Sequence, residues 1–147
     1  MSIAYDRALE LADAVVAAKG HDALRAPRAV QVVYLVGKLD FETTTGGVLQ
    51  WLTNDSGLCA TETVAALTEI GAVQCAGIVN RILAFFPSGA PSRDRTDRAA
   101  EVQRLLPVAK AAWRELGNSL LDWPDDVDAL LRDYVERNAA AFVVATS

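Results

Sequence analysis

Histidine, cysteine and carboxylate side chains are the groups in this chain that could support catalysis or bind a metal ion. The single histidine, His21, follows Gly20 and precedes Asp22, and no nucleophile or second ligand stands beside it in the sequence. Cys59 and Cys75 have no flanking histidine, and their separation does not match the ligand spacing of a structural zinc site. The sequence therefore predicts no catalytic residue, no metal and no cofactor, and a chain that is not an enzyme.

Carboxylates near the C-terminus form the strongest candidate binding surface. Residues 119–147 carry six acids and two bases, a net charge of −4, whereas residues 93–118 carry a net charge of +2. The glycine and the terminal glutamate of a calcium-binding loop are missing, so a basic protein fits these carboxylates better than a calcium ion does. An aromatic ring flanked by acids would anchor such a partner. The candidate partner-binding residues are Asp122, Trp123, Asp125, Asp126, Asp128, Asp133 and Glu136.

Composition restricts the class of partner and the compartment. The chain has 147 residues, a formal net charge of −5 and a hydrophobic content of 52%, which are typical of one globular domain. An acidic protein is repelled by nucleic acid and by anionic membranes and is attracted to basic proteins. No segment reads as a membrane span or a secretory signal, and both cysteines fit buried, reduced thiols. We therefore expect a cytoplasmic protein that binds neither nucleic acid nor membrane directly.

Apolar spacing predicts an all-α protein, a compact bundle of about six or seven helices in a single domain spanning residues 1–147. A first helix is expected from Ser2 to about Ala18, and a second begins at Pro27 with a wide valine-rich face. Further helices are expected from Thr61 to Gly71, over residues 72–86, from Ser92 or Asp94 toward Leu116, and from Pro124 onward.

Four interruptions are expected between or within these helices. Three threonines before two glycines, Thr43–Gly47, predict the end of a helix. Pro107 predicts a kink or a split, and Gly117–Asn118 predicts a further break. Asn54–Gly57 is typical of a turn. Among the tryptophans, Trp113 is assigned to the core.

The middle of the chain carries a compound motif of glycine, glutamine and asparagine. Residues 45–57 read TGGVLQWLTNDSG, and ALTEIGA follows at residues 66–72. Phe86-Pro87, Leu121-Asp122 and the spacing of Leu130 and Tyr134 complete the pattern. Together, over residues 30–137, they resemble the DNA-mimic protein family known from Neisseria. The family pattern has asparagine, phenylalanine and serine where this chain has Thr45, Val48 and Asp55.

The resemblance implies an all-α fold, the ability to form a homodimer, and an acidic surface that imitates DNA phosphates in the site of a DNA-binding protein. The arginine-rich segment from Arg93 to Arg104 would interrupt such a surface. The leading hypothesis is a non-enzymatic acidic inhibitor of a basic, nucleic-acid-handling partner. A second hypothesis is an immunity protein that neutralises a bacterial toxin.

A third hypothesis is a small-ligand binder or an enzyme that uses the loop from Gly46 to Gly57. The alternative is that this loop only turns the chain, because glycines permit tight turns and short polar side chains satisfy loop amides. A pocket lined by the loop would favour the ligand hypothesis. The loop residues concerned are Gly46, Gly47, Gln50, Trp51, Asn54, Ser56 and Gly57.

Overall fold

The computed structural model describes residues 5–144, and the side chains of Ser56, Val143 and Val144 lie outside that description. The residues described form seven α-helices and no strand, so the predicted all-α bundle is confirmed. None of these helices is long and apolar enough to cross a bilayer. The helices are α1 (Tyr5–Ala18), α2 (Arg28–Thr53), α3 (Ala60–Ile70), α4 (Val73–Leu83), α5 (Arg95–Leu121), α6 (Val127–Arg137) and α7 (Ala139–Val144), with short 3-10 helices at Ala23–Arg25 and Asp55–Cys59.

Helix α2 lies at the centre of the bundle and packs against α1, α3 and α5. Its first half is apolar around most of its circumference, as expected of a helix with neighbours on several sides. The buried apolar residues there are Val30, Val32, Val33, Leu35, Val36 and Leu39. They belong to a core cluster that also takes in residues of the other six helices, including Trp113 of α5 and Phe142 of α7. The assignment of Trp113 to the core is therefore confirmed.

The predicted interruption of α2 lies at one residue. Thr43 and Thr45 remain helical, and their hydroxyls donate to the carbonyls of Leu39 (2.6 Å) and Phe41 (2.8 Å) one turn earlier. Gly47 has φ 75° and ψ −171°, a conformation that favours glycine, and the helix resumes over residues 48–53. The predicted break in α2 is therefore present, but it lies at Gly47 and does not include the threonines.

Helix α5 is continuous from Arg95 to Leu121, so the predicted break at Gly117–Asn118 is wrong. Gly117 is buried where α5 meets α2, and a Cβ at this position would lie 3.0 Å from Cγ2 of Val48. Glycine therefore permits a close approach of two helices here instead of a turn. Pro107 also lies inside α5, which continues past it without being split.

Local caps explain three of the predicted helix ends. Gly71 ends α3 in a left-handed conformation with φ 92°. Asp94 and Asp126 cap α5 and α6, because their carboxylates accept hydrogen bonds from the N–H groups of Asp97 and Ala129. The short helix α7 was not predicted.

Candidate partner-binding site

A groove of about 400 Å³ lies between α1, α2 and the N-terminal end of α6. We call it the α1–α6 groove. Its walls combine apolar side chains from the helices with two aromatic rings, those of Tyr5 and Trp123, and three carboxylates, those of Asp40, Asp126 and Asp128. Aromatic faces and carboxylates both attract cations, so the groove has the chemistry of a cation-binding site.

Trp123 is placed by the way in which α5 ends. The backbone N–H of Trp123 donates to the carbonyl of Leu120 at 2.9 Å. Its φ is 45°, in the left-handed region that non-glycine residues rarely adopt. Pro124 follows, and the residue before a proline is disfavoured in the right-handed helical conformation. Helix α5 therefore stops, and the half-buried indole of Trp123 lines the groove.

Tyr5 and Asp128 already bind a guanidinium group of the chain itself. Cζ of Arg132 lies 4.3 Å from the centroid of the Tyr5 ring, and its Nε lies 2.9 Å from Oδ2 of Asp128. Burial, followed by the negative charge of Asp128, raises the pKa of Tyr5 to about 12, so its hydroxyl is neutral near pH 7. The ring therefore presents an uncharged aromatic face to a cation.

A second groove adjoins the first along α1 and α2, and the two share Tyr5, Gly37 and Asp40. Asp13 adds a further carboxylate to this groove. Lys38 adds an ammonium group, whose Nζ lies 5.5 Å from the ring centroid of Tyr34. We call the four carboxylates that line the two grooves the acidic face: Asp13, Asp40, Asp126 and Asp128.

The structure divides the predicted partner-binding residues among several places. Trp123, Asp126 and Asp128 line the α1–α6 groove. Asp122 lines a different groove, beside residues of α4. Asp133 and Glu136 are exposed on α6 and line neither groove of the acidic face.

Asp125 makes a structural contact. Its Oδ2 accepts a hydrogen bond from the N–H of Cys75 at 2.8 Å, and its Oδ1 accepts one from Nε2 of Gln74 at 3.2 Å. Helix α4 begins after Ala72, which provides no side-chain cap, so Asp125 satisfies an N–H group that the first turn of α4 leaves without a helical partner. The acidic loop before α6 is thereby attached to α4.

The glutamine and asparagine of the family motif converge on a buried glutamate. Glu42 is 7% exposed, and its Oε2 accepts hydrogen bonds from the side-chain amides of Gln50 (2.6 Å) and Asn54 (2.8 Å). Gln50 also donates to Oγ1 of Thr45 at 2.8 Å, and Trp51 is buried in the core. This network connects the two sides of the break in α2. Gly46 and Gly47 also line a groove of about 170 Å³ beside α5, whereas the side chains of Gln50 and Asn54 are held in the Glu42 network. A role of this loop in binding a ligand stays a prediction.

Two glycines of the same motif permit close approaches. A Cβ at Gly46 would overlap the side chain of Gln50. A Cβ at Gly57 would overlap the carbonyl of Leu52 and lie 2.7 Å from Nε of Arg98. Both glycines are therefore required by packing and not by their own backbone conformation.

The guanidinium group of Arg98 closes the end of α2. Arg98 is 1% exposed, and it donates hydrogen bonds to the carbonyls of Leu52 (2.7 Å) and Asn54 (3.0 Å). The last carbonyls of a helix lack helical partners and carry partial negative charge, so a buried cation is stabilised there. The side chain of Ser56, the remaining motif residue, lies outside the described part of the structure.

The cysteines are free and buried, as predicted. Burial raises the pKa of the Cys59 thiol to about 11, so this thiol stays protonated near neutral pH. His21 is exposed and has φ 62°. Among the described residues no three or more histidine, cysteine, aspartate or glutamate side chains are grouped so as to hold a metal ion.

Sequence reasoning missed several residues that shape the site. Tyr5, Asp13 and Asp40 reach the grooves only because α1 and α2 pack beside α6, and no local motif marks them. Glu42 did carry a signal. It follows Leu35 and Leu39 at helical spacing, which places its carboxylate on the buried side of α2.

The fold and the grooves define an all-helical protein with an acidic, aromatic-lined surface. The chain belongs to the DMP19-like protein family, whose model matches residues 24–138. This is the DNA-mimic family that the central motif resembles, so the resemblance is confirmed. Neither a curated protein nor a solved structure matches the chain.

Proposed function

We propose that this chain is a non-enzymatic inhibitor that inserts its acidic face into the DNA-binding site of a basic, nucleic-acid-handling protein. Membership of the DNA-mimic family supports a protein-binding role of this kind. The observation that carries the proposal is the acidic face itself, in which carboxylates from α1, α2 and the start of α6 line two adjoining grooves. No one segment of the sequence provides this surface.

Electrostatics supply the mechanism. A DNA-binding site presents lysine and arginine side chains to phosphates, and carboxylates on a protein surface attract the same side chains. Such complementarity mainly raises the association rate, and salt weakens it because exposed charges are screened within about 10 Å at 0.1 M ionic strength. Binding of the partner should therefore be strong at low salt and fall steeply as salt rises.

The arginines between Arg93 and Arg104 line neither groove of the acidic face. Arg98 is buried, and its guanidinium group donates hydrogen bonds to backbone carbonyls. Arg93 forms an ion pair with Glu62 at 2.8 Å, and Arg95 forms one with Asp55 at 3.0 Å. These contacts lie at the N-terminal end of α5, and none of the three arginines lines the grooves that contain the acidic face.

The test is capture followed by displacement with DNA. The immobilised chain is incubated at low salt with a lysate of its source cell, and bound proteins are then eluted with a double-stranded DNA duplex and identified by mass spectrometry. We expect the duplex to release a DNA-binding protein. The purified partner should then lose its labelled duplex when the chain is added.

Two double variants with the same change in net charge locate the surface. Asp13→Asn with Asp40→Asn neutralises exposed positions on the acidic face, and Asp133→Asn with Glu136→Gln neutralises exposed positions outside it. Only the first should lose the partner. If no DNA-binding protein is released by the duplex, or if both doubles retain it equally, the proposal is wrong. Capture of a basic toxin that DNA does not displace would favour the immunity hypothesis instead.

A further inference from the structure

The α1–α6 groove has features that a flat acidic surface does not need. It is a concave site of about 400 Å³, within the usual size range of small-ligand pockets. Val36, Val127 and Leu131 form apolar walls, and the rings of Tyr5 and Trp123 line the same space. A surface that only imitated phosphates would require charge without an aromatic cavity.

We propose that this groove receives one arginine side chain of the partner protein. The inference rests on the proposed function, since it assigns a specific contact to the acidic face. The carboxylates of Asp40 and Asp126 attract the guanidinium group, the indole of Trp123 packs against its plane, and the apolar walls cover its methylene stem.

Arg132 shows how this part of the chain binds a guanidinium group. Its Cζ lies over the ring of Tyr5 at 4.3 Å while its Nε contacts Asp128 at 2.9 Å. Trp123 and Asp40 line the groove, so the proposed contact uses the same two kinds of group, an aromatic ring and a carboxylate. Tyr5 and Asp128 both line the groove, whereas Arg132 does not, so Arg132 would compete with an incoming arginine for these two groups without filling the groove.

Arginine fits this site better than lysine does. Its guanidinium group is planar, stacks on aromatic rings and offers several N–H donors in a fixed fork, whereas an ammonium group is a compact and strongly hydrated charge. Two carboxylates and an aromatic ring around one cavity match the planar group, because they can contact its edge and its face at the same time.

The experiment titrates the intact chain with a capped Gly-Arg-Gly tripeptide and follows backbone and indole N–H signals by NMR. We expect saturable shifts of the Trp123 indole and of the amides of Val127 and Asp128. The matching Gly-Lys-Gly peptide should bind more weakly, and Gly-Glu-Gly should give no such shifts. Shifts that do not saturate, or that centre on another surface, would overturn the proposal.

Four variants separate the site from general electrostatics. Asp40→Asn should lower the affinity for the arginine peptide about two- to five-fold. Asp133→Asn, an equal charge change outside the groove, should leave this affinity unchanged. Trp123→Asn should weaken binding at least as much, because asparagine tolerates the left-handed backbone but removes the ring. Arg132→Gln should strengthen binding about two- to five-fold, since it removes the internal competitor.

Unfolding midpoints of all four variants check that the fold is retained. Equal weakening by Asp40→Asn and Asp133→Asn, or no gain from Arg132→Gln, would refute an arginine site. The outcomes distinguish a failure of the arginine site from a failure of the proposed function. A partner captured and displaced by DNA without peptide binding in the groove refutes only this inference. Peptide binding in the groove without a DNA-displaceable partner refutes only the proposed function.

Discussion

The carboxylate of Asp125 caps a helix to which it does not belong, because its Oδ2 accepts a hydrogen bond from the N–H of Cys75 at 2.8 Å. Cys75 lies in the first turn of α4, and Asp125 lies in the loop before α6. The acidic turn that the sequence marks as a partner-binding surface therefore also takes part in folding. A charge change at this position should therefore alter stability.

Replacing Asp125 with alanine should lower the free energy of unfolding by about 1 kcal/mol, the usual effect of losing a helix cap. Urea denaturation of the variant measures this change. The control is Asp122→Ala, which removes an exposed carboxylate from the same loop and should change stability by less than about 0.5 kcal/mol. Equal losses in both variants would show that the cap contributes nothing specific.

Two glycine-to-alanine changes should have opposite signs. At Gly57 an added Cβ would overlap the carbonyl of Leu52 and crowd Arg98, so Gly57→Ala should destabilise the chain by about 2 kcal/mol. Gly37 lies inside α2, where a Cβ would meet only Cδ2 of Leu9, at an ordinary 3.5 Å. Gly37→Ala should therefore stabilise the chain by about 1 kcal/mol, the helix-propensity difference. Thermal unfolding compares the two, and a loss of stability in both would contradict the packing argument.

Removal of the buried carboxylate at position 42 should destabilise the break in α2. Glu42→Ala leaves the amides of Gln50 and Asn54 without their shared acceptor, so we expect a loss of about 2 kcal/mol. The matched control, Asp40→Ala, removes an exposed carboxylate one half-turn away and should change stability by less than about 0.5 kcal/mol. Amide hydrogen exchange over residues 45–57 should accelerate in Glu42→Ala alone. Unchanged exchange would mean that the network does not hold this loop.

Stability should fall in alkaline solution. Burial raises the pKa of Cys59 from 9.0 to about 11, and that of Tyr5 and of Tyr34 from 10.0 to about 12. The folded chain therefore keeps protons that the unfolded chain releases, so the free energy of unfolding decreases as the pH rises from about 9 toward 12.

Urea midpoints at about pH 8 and about pH 10.5 measure this slope. Tyr5→Phe combined with Tyr34→Phe should make the slope shallower, because two of the groups with raised pKa values are removed. A midpoint that stays constant between these pH values would contradict the pKa shifts. The same slope in the parent and the double variant would assign the effect to other groups.

Local chemistry explains which parts of the fold could be predicted. The end of α3 at Gly71 and the starts of α5 and α6 at Asp94 and Asp126 depend on caps that the sequence displays directly. The prediction at Gly117 was wrong because this glycine serves a contact with Val48 of α2, which the local sequence of α5 does not reveal.

The acidic face was only half predictable for the same reason. Asp126 and Asp128 stand in an acidic turn that is visible in the sequence, whereas Asp13 and Asp40 join them only through the packing of α1 and α2. The single domain, the homodimer and the cytoplasmic location stay predictions, and light scattering would test the homodimer.

Some of the carboxylates described above cap helices, and others do not, so the two groups should differ in how much they vary among related chains. Asp125 and Asp126 cap the N-termini of α4 and α6, so we expect related chains to keep a capping side chain at both positions. Asp13 and Asp40 are exposed and cap neither helix, so they can change with the partner. We therefore expect Asp13 and Asp40 to vary more among related chains than the two capping acids do.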